Sequence, residues 1–167
     1  MLDATQFKLV NVGAVPGGHL VAYEIADTAY VALRVTMPDH GNTVAAGTLN
    51  LRPIDQPMGP PQLVVYNDMD DTWCIDLGPA VIRVPAASIG EISRAERSRS
   101  GDLLVGPEGA GIAAVFGRHP IGRHTWSVSN GKPVSVSHPC RRFTSWEIGV
   151  MQGSDFHPVV SFHDREA

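Results

Sequence analysis

The sequence predicts an all-β fold, an antiparallel β-sandwich or β-barrel with one short helix (about 88–100), on three observations. Apolar and polar residues alternate with period two along most of the chain, the sign of strands with one buried face. Turn-forming residues are frequent, with 17 glycines and 13 prolines in 167 residues, against about 12% for the pair in average proteins. Helical spacing of apolar residues is found in one stretch only.

Each element follows from its local pattern. "FKLVNV" (7–12) and "HLVAYEIA" (19–26) are the first strands, separated by the turn "VPGGH". "AYVALRVTM" (29–37) places Val31, Leu33, Val35 and Met37 on one face, and "GTLNLRP" turns Leu49 and Leu51 inward and Thr48, Asn50 and Arg52 outward. "RPIDQPMGPP" (52–61) carries four prolines; proline lacks the ladder donor, so this is a loop or an arm rather than a central strand. "QLVVYN" (62–67) leads into the acidic turn "NDMDD". "TWCIDL" turns Trp73, Ile75 and Leu77 inward against Thr72, Cys74 and Asp76, and "PAVIRV" (79–84) follows. Ser88 with Glu91 fits a capping box, and Ile89, Ile92 and Ala95 recur at helical spacing, so a helix is expected over 88–100, ended by Gly101. "GIAAVFG" (111–117), "RFTSWEIGVM" with Trp146, Ile148 and Val150 inward, and "HPVVSFHD" (157–164) complete the strands. All three tryptophans fall on inward parity and are expected in the core.

A chain of 167 residues suits a single domain, 1–167, which buries roughly 70% of its unfolded surface and needs no metal or disulfide to fold. Two cysteines, Cys74 and Cys140, make no disulfide framework and read as reduced thiols. The first twenty residues lack a basic start and an apolar run, so no signal peptide is expected, and no stretch approaches the ~20 apolar residues of a membrane helix. The expected location is the cytoplasm or an assembled particle.

Net charge is −4, which argues against general nucleic-acid binding. Residues 1–84 carry four basic and nine acidic side chains, whereas residues 85–167 carry nine basic and eight acidic ones. The two halves are therefore complementary. Charged residues make up 18% against about 25% in typical soluble domains, a shortfall that suits a surface partly covered by another chain.

"HTWSVSNGKPVSVSH" (124–138) poses the sharpest geometric question. A two-residue Asn130–Gly131 turn is the usual reading of Asn-Gly, but it sets Trp126 opposite Ser135. A loop of 130–132, or of 129–133, instead pairs Val128 with Val134, Trp126 with Val136 and His124 with His138, so that the apolar faces agree. The two imidazoles then stand about 5 Å apart, able to share a metal or to titrate together. His119, Cys140 and His163 are candidate third ligands, and Arg123 a candidate anion contact. Cys140, beside His138 and Arg141, is a candidate for a lowered thiol pKa.

Other motifs carry less. "GAGIAA" (109–114) matches a phosphate-binding fingerprint, but Gly117 and Pro120 leave no room for the helix that such a site requires. "NDMDDT" lacks the glycine and distal Glu of an EF-hand loop. Ser154, Asp155 and His157 are too close in sequence for a triad built by the fold. "PIGRHTWSVSN" (120–130) has a Pro-x-Gly, a His and an Asn, somewhat similar to the second metal motif of cupin barrels. Its spacings differ, and the chain has no His-x-His for the first motif, so no cupin residues carry over.

Two functions are expected from these features. The first is a non-enzymatic, self-associating structural or assembly subunit, of the kind that decorates a virion or a secretion apparatus, without cofactor. The alternative is a small β-barrel, cupin-like enzyme or small-anion-binding protein. Its pocket would comprise Arg123, His124, His138 and Cys140, with a divalent metal on His124 and His138.

Overall fold

The computed structural model describes residues 2–37, 45–56, 59–86, 90–93, 98–116, 123–137 and 139–163. Sixteen strands follow in order: β1 Lys8–Asn11, β2 His19–Ile25, β3 Thr28–Thr36, β4 Ala46–Asn50, β5 Ile54–Gln56, β6 Gly59–Gln62, β7 Val64–Tyr66, β8 Trp73–Pro79, β9 Val81–Arg83, β10 Glu91–Ser93, β11 Leu103–Gly106, β12 Gly109–Phe116, β13 Arg123–Ser127, β14 Cys140–Phe143, β15 Trp146–Gln152 and β16 Asp155–Phe162. Short 3-10 turns at Ala4–Gln6 and Val12–Ala14 flank β1. The protein is all-β, as its alternation predicts, and none of the helices among the described residues is long and apolar enough to cross a membrane.

Eleven strands form one sheet in the order β1-β8-β2-β3-β4-β7-β12-β11-β14-β10, with β13 on the other side of β12. All its pairings are antiparallel except β7 with β12. A second sheet, β16-β15-β9, covers part of it. One core joins Leu20, Leu33 and Leu49 of the large sheet, through Leu103, Ile112 and Trp126, to Trp146, Ile148 and Val150 of the small one. Strands as far apart as β2 and β13 thus turn the same face to one cluster, which requires the large sheet to curl around it. Trp146 stacks on Phe162, ring centroids 4.0 Å apart, within the small sheet.

A second cluster lies on the opposite face of β2, β3 and β8. It comprises Val12, Val15, Val21, Tyr23, Ala32, Ala46, Met69 and Cys74. This second layer explains two departures from the alternation. Thr48 and Asn50, expected outward, are buried. β4 is a central strand covered on both sides, and its polar groups are satisfied internally: Tyr23 Oη and Thr48 Oγ1 are 3.0 Å apart, and Arg52 N–H donates to Asn50 Oδ1 at 3.1 Å. Likewise Cys74 is buried, whereas Trp73 and Ile75, expected inward, are exposed.

The helix expected over 88–100 is not formed in the described part of that stretch. Glu91–Ser93 is β10, paired with β14 in the register Ile92 opposite Arg141. Gly90 sits at φ +66°, outside helical geometry, and the backbone of β14 supplies the partners that a helix would have found within itself. Within the Pro-rich segment, expected as a loop or an arm, β5 and β6 pair antiparallel as a separate two-stranded sheet. Both strands there are edges, where proline is tolerated.

Candidate functional site

His124 extends from β13, with Ala114 opposite on β12. It is half-buried and packs edge-on against Phe116 and Trp126, with ring centroids 6.5 and 6.0 Å away. The inward parity expected for it holds. The register expected for its hairpin does not. Trp126 bridges to Pro133, flanked by hydrogen bonds from Ser127 N–H to the Lys132 carbonyl and from Val134 N–H to the Thr125 carbonyl, both 2.8 Å. Carried on, this register brings Ser135 opposite His124. His138 and His119 lie outside the described residues, as does the side chain of Arg123.

The reason for the changed register is that the two apolar rows serve different cores. Trp126 and Val128 enter the main cluster, while Val136, with Val134 beside it, packs against Leu104 and Cys140 on the other face. Thr125 and Val134 both stand over Gly111, where any side chain would meet them. Matching the two rows to each other assumed a single core.

Cys140 therefore faces the opposite side of the sheet from His124. It is buried, and burial raises its thiol pKa, only partly opposed by a backbone hydrogen bond; nearby Glu108 adds to the rise. The lowered pKa expected from neighbouring positive charge is corrected by this. His163 is at the end of β16, in an open cleft of about 320 Å³ with Arg83, Pro85, Ser145, Glu147 and Phe162. Among the described residues no group of three or more His, Cys, Asp or Glu is arranged to hold a metal. "GAGIAA" lies within β12, a continuous strand to Phe116, so it opens no phosphate-binding helix.

Two features were not legible beforehand. His19 Nδ1 lies 2.9 Å from Asp76 Oδ1, which also accepts from Gly78 N–H at 2.9 Å. A carboxylate only accepts, so this contact places the imidazole proton on Nδ1. The pairing of β2 with β8 creates it across 57 residues of sequence.

The other is an apolar shoulder at the β1 end of the large sheet. Leu9 faces Ile75 directly across β1 and β8, Ile75 faces Ala22, and Ala22 faces Val31. That row runs from the main core outward, on the core-facing side of the sheet. Its inner members are half-buried, but the small sheet stops short of its outer ones. Leu9 is 68% exposed, Ile75 40%, and Trp73, two pairs further along on the same face, 62%. Comparison with protein-family models, curated proteins and solved structures finds no match for this chain.

Proposed function

We propose that the protein is a self-associating structural subunit, a β-domain that works by assembling with other copies into a larger body such as a particle or an apparatus. The observation that supports this most is the shoulder of Leu9, Trp73 and Ile75, where core-type side chains continue past their cover to an open edge. Burial of such surface stabilises by about 25 cal/mol per Å², and a copy of the chain presents a matching surface. The low charge content and the opposite charge balance of the two halves favour the same reading. The catalytic alternative loses support from the geometry, because His124 and Cys140 face opposite sides of the sheet.

Light scattering over a range of protein concentrations tests the proposal. The expected result is a mass above that of one chain, rising with concentration, and reduced to one chain by Trp73→Lys. A single-chain mass throughout, for the unsubstituted protein, overturns it.

A further inference from the structure

The phase of the hydrogen bonds along β1 carries the reading of that surface one step further. Val12 N–H donates to the Thr72 carbonyl at 2.9 Å, in the same register as Val10 opposite Cys74 and Lys8 opposite Asp76. In an antiparallel ladder, hydrogen-bonded and non-hydrogen-bonded pairs alternate. Leu9 opposite Ile75 and Asn11 opposite Trp73 are then the non-bonded pairs. The N–H and C=O of Leu9 and Asn11 point away from β8, toward the side of β1 where no described strand pairs.

Edge strands usually protect such groups with charge, proline or a bulge. In β1 the one charged residue is Lys8, which stands opposite Asp76, a carboxylate already held by His19 Nδ1 and Gly78 N–H. Lys8 also lies on the opposite face from Leu9, since neighbouring side chains alternate. Among the described residues that edge is unpaired, with Leu9 as its exposed apolar residue.

We infer that β1 pairs antiparallel with β1 of a second copy about a twofold axis, with Leu9 opposite its own counterpart, joining the two large sheets into one. This rests on the self-association proposed above and specifies its geometry. The register follows from matching side chains. With Leu9 on the axis, the row Ala22–Ile75–Leu9 continues without a polar break into Leu9, Ile75 and Ala22 of the copy. A shift that centres Val10 sets Leu9 against Asn11, and one that centres Asn11 sets amide against amide. With Leu9 central, Phe7 faces Asn11 of the copy; its backbone is extended at φ −87°, ψ 146°, but its N–H already donates to the Ala4 carbonyl at 3.2 Å, so pairing there runs through the Phe7 carbonyl alone. A twofold contact of this kind is self-complementary and closes at two copies, so growth beyond a dimer requires another surface.

The expected affinity is modest. Each large apolar side chain buries on the order of 150 Å². Leu9, Ile75 and Trp73 still expose 68%, 40% and 62% of theirs, so together they supply about a third of the ~800 Å² per partner in a stable complex. Pairing is thus concentration-dependent.

Cysteine cross-linking and proline substitution test the geometry. Leu9→Cys is expected to form a disulfide-linked dimer under mild oxidation, at least about tenfold faster than Val10→Cys, because only the former faces its own copy within disulfide reach. Native Cys74 and Cys140 are buried and contribute little background. Leu9→Pro removes the outward N–H while sparing the bonds of Lys8 and Val10 to β8. It is expected to weaken dimerisation about tenfold or more. If Trp73→Lys gives single chains while Leu9→Pro still dimerises and Leu9→Cys does not cross-link, the copies meet face to face and the edge pairing is overturned with self-association intact. Single chains for the unsubstituted protein overturn both.

Discussion

Gly131 sits against Arg34: a Cβ on Gly131 would stand on the Arg34 carbonyl oxygen, 2.9 Å from Gly18 N and 3.0 Å from Val35 Cα. Thr36 N–H ties β3 to the Gly131 carbonyl at 2.8 Å, and Gly18 N–H, just before β2, donates to the Arg34 carbonyl at 2.9 Å. Gly131 also lies at φ +68°, where other residues are strained. This contact docks the 128–131 turn onto the start of β2 and the end of β3.

Gly131→Ala is therefore expected to destabilise the fold by about 2 kcal/mol or more, from steric overlap added to backbone strain. Denaturant unfolding measures it. A midpoint equal to that of the unsubstituted protein would contradict the packing described.

Trp146 offers a test of the main core. Its ring stacks on Phe162, and its Nε1–H donates to the Gly101 carbonyl at 2.9 Å. Trp146→Phe keeps an aromatic stack but leaves that carbonyl without its donor, at an expected cost of about 1–3 kcal/mol. Trp146→Ala opens a cavity as well and is expected to cost about 3–5 kcal/mol. Equal losses for the two would mean that the stack contributes nothing.

Stability is expected to fall at alkaline pH. Desolvation, with a smaller contribution from Asp76, pushes the Cys74 thiol up to about 11 from 9.0. Burial pushes the Tyr23 phenol up to about 12 from 10.0, against the lowering effect of its hydrogen bond to Thr48. Both groups release protons more readily when unfolded, so the unfolded chain binds fewer protons at high pH. The stability they contribute is complete below about pH 9 and is lost as pH rises toward 11–12. Urea midpoints measured from pH 7 to pH 11 check this; a flat profile over the upper two units would show that neither group resists ionisation.

Tryptophan fluorescence reports on the shoulder directly. Trp126 and Trp146 are fully buried, whereas Trp73 is open to solvent. At low protein concentration a soluble quencher should therefore reach one fluorophore, and Trp73→Phe should abolish that fraction. At concentrations where copies associate, the accessible fraction is expected to shrink. Quenching that is independent of concentration would place Trp73 outside any contact.

The period-two alternation by itself determined most of the strands, though not β5, β6 or β10, and the parity of the main core. Leu33 and Val35, Leu49 and Leu51, and Trp146, Ile148 and Val150 are buried as their spacing demands. Alternation says only that neighbours point oppositely. It does not say which face is covered, or by what. Tertiary structure decided that. The turn region around Val12, Val15 and Met69 lies over the second face of the sheet, which is why Thr48, Asn50 and Cys74 are inside. The small sheet ends before β1, which is why Trp73 and Leu9 are outside. The same physical reason set the hairpin register, since Trp126 and Val136 answer to separate cores. The contact between His19 and Asp76 and the open edge of β1 depend on which strands become neighbours. Long-range pairing settles that, and it leaves no periodic signal in the chain.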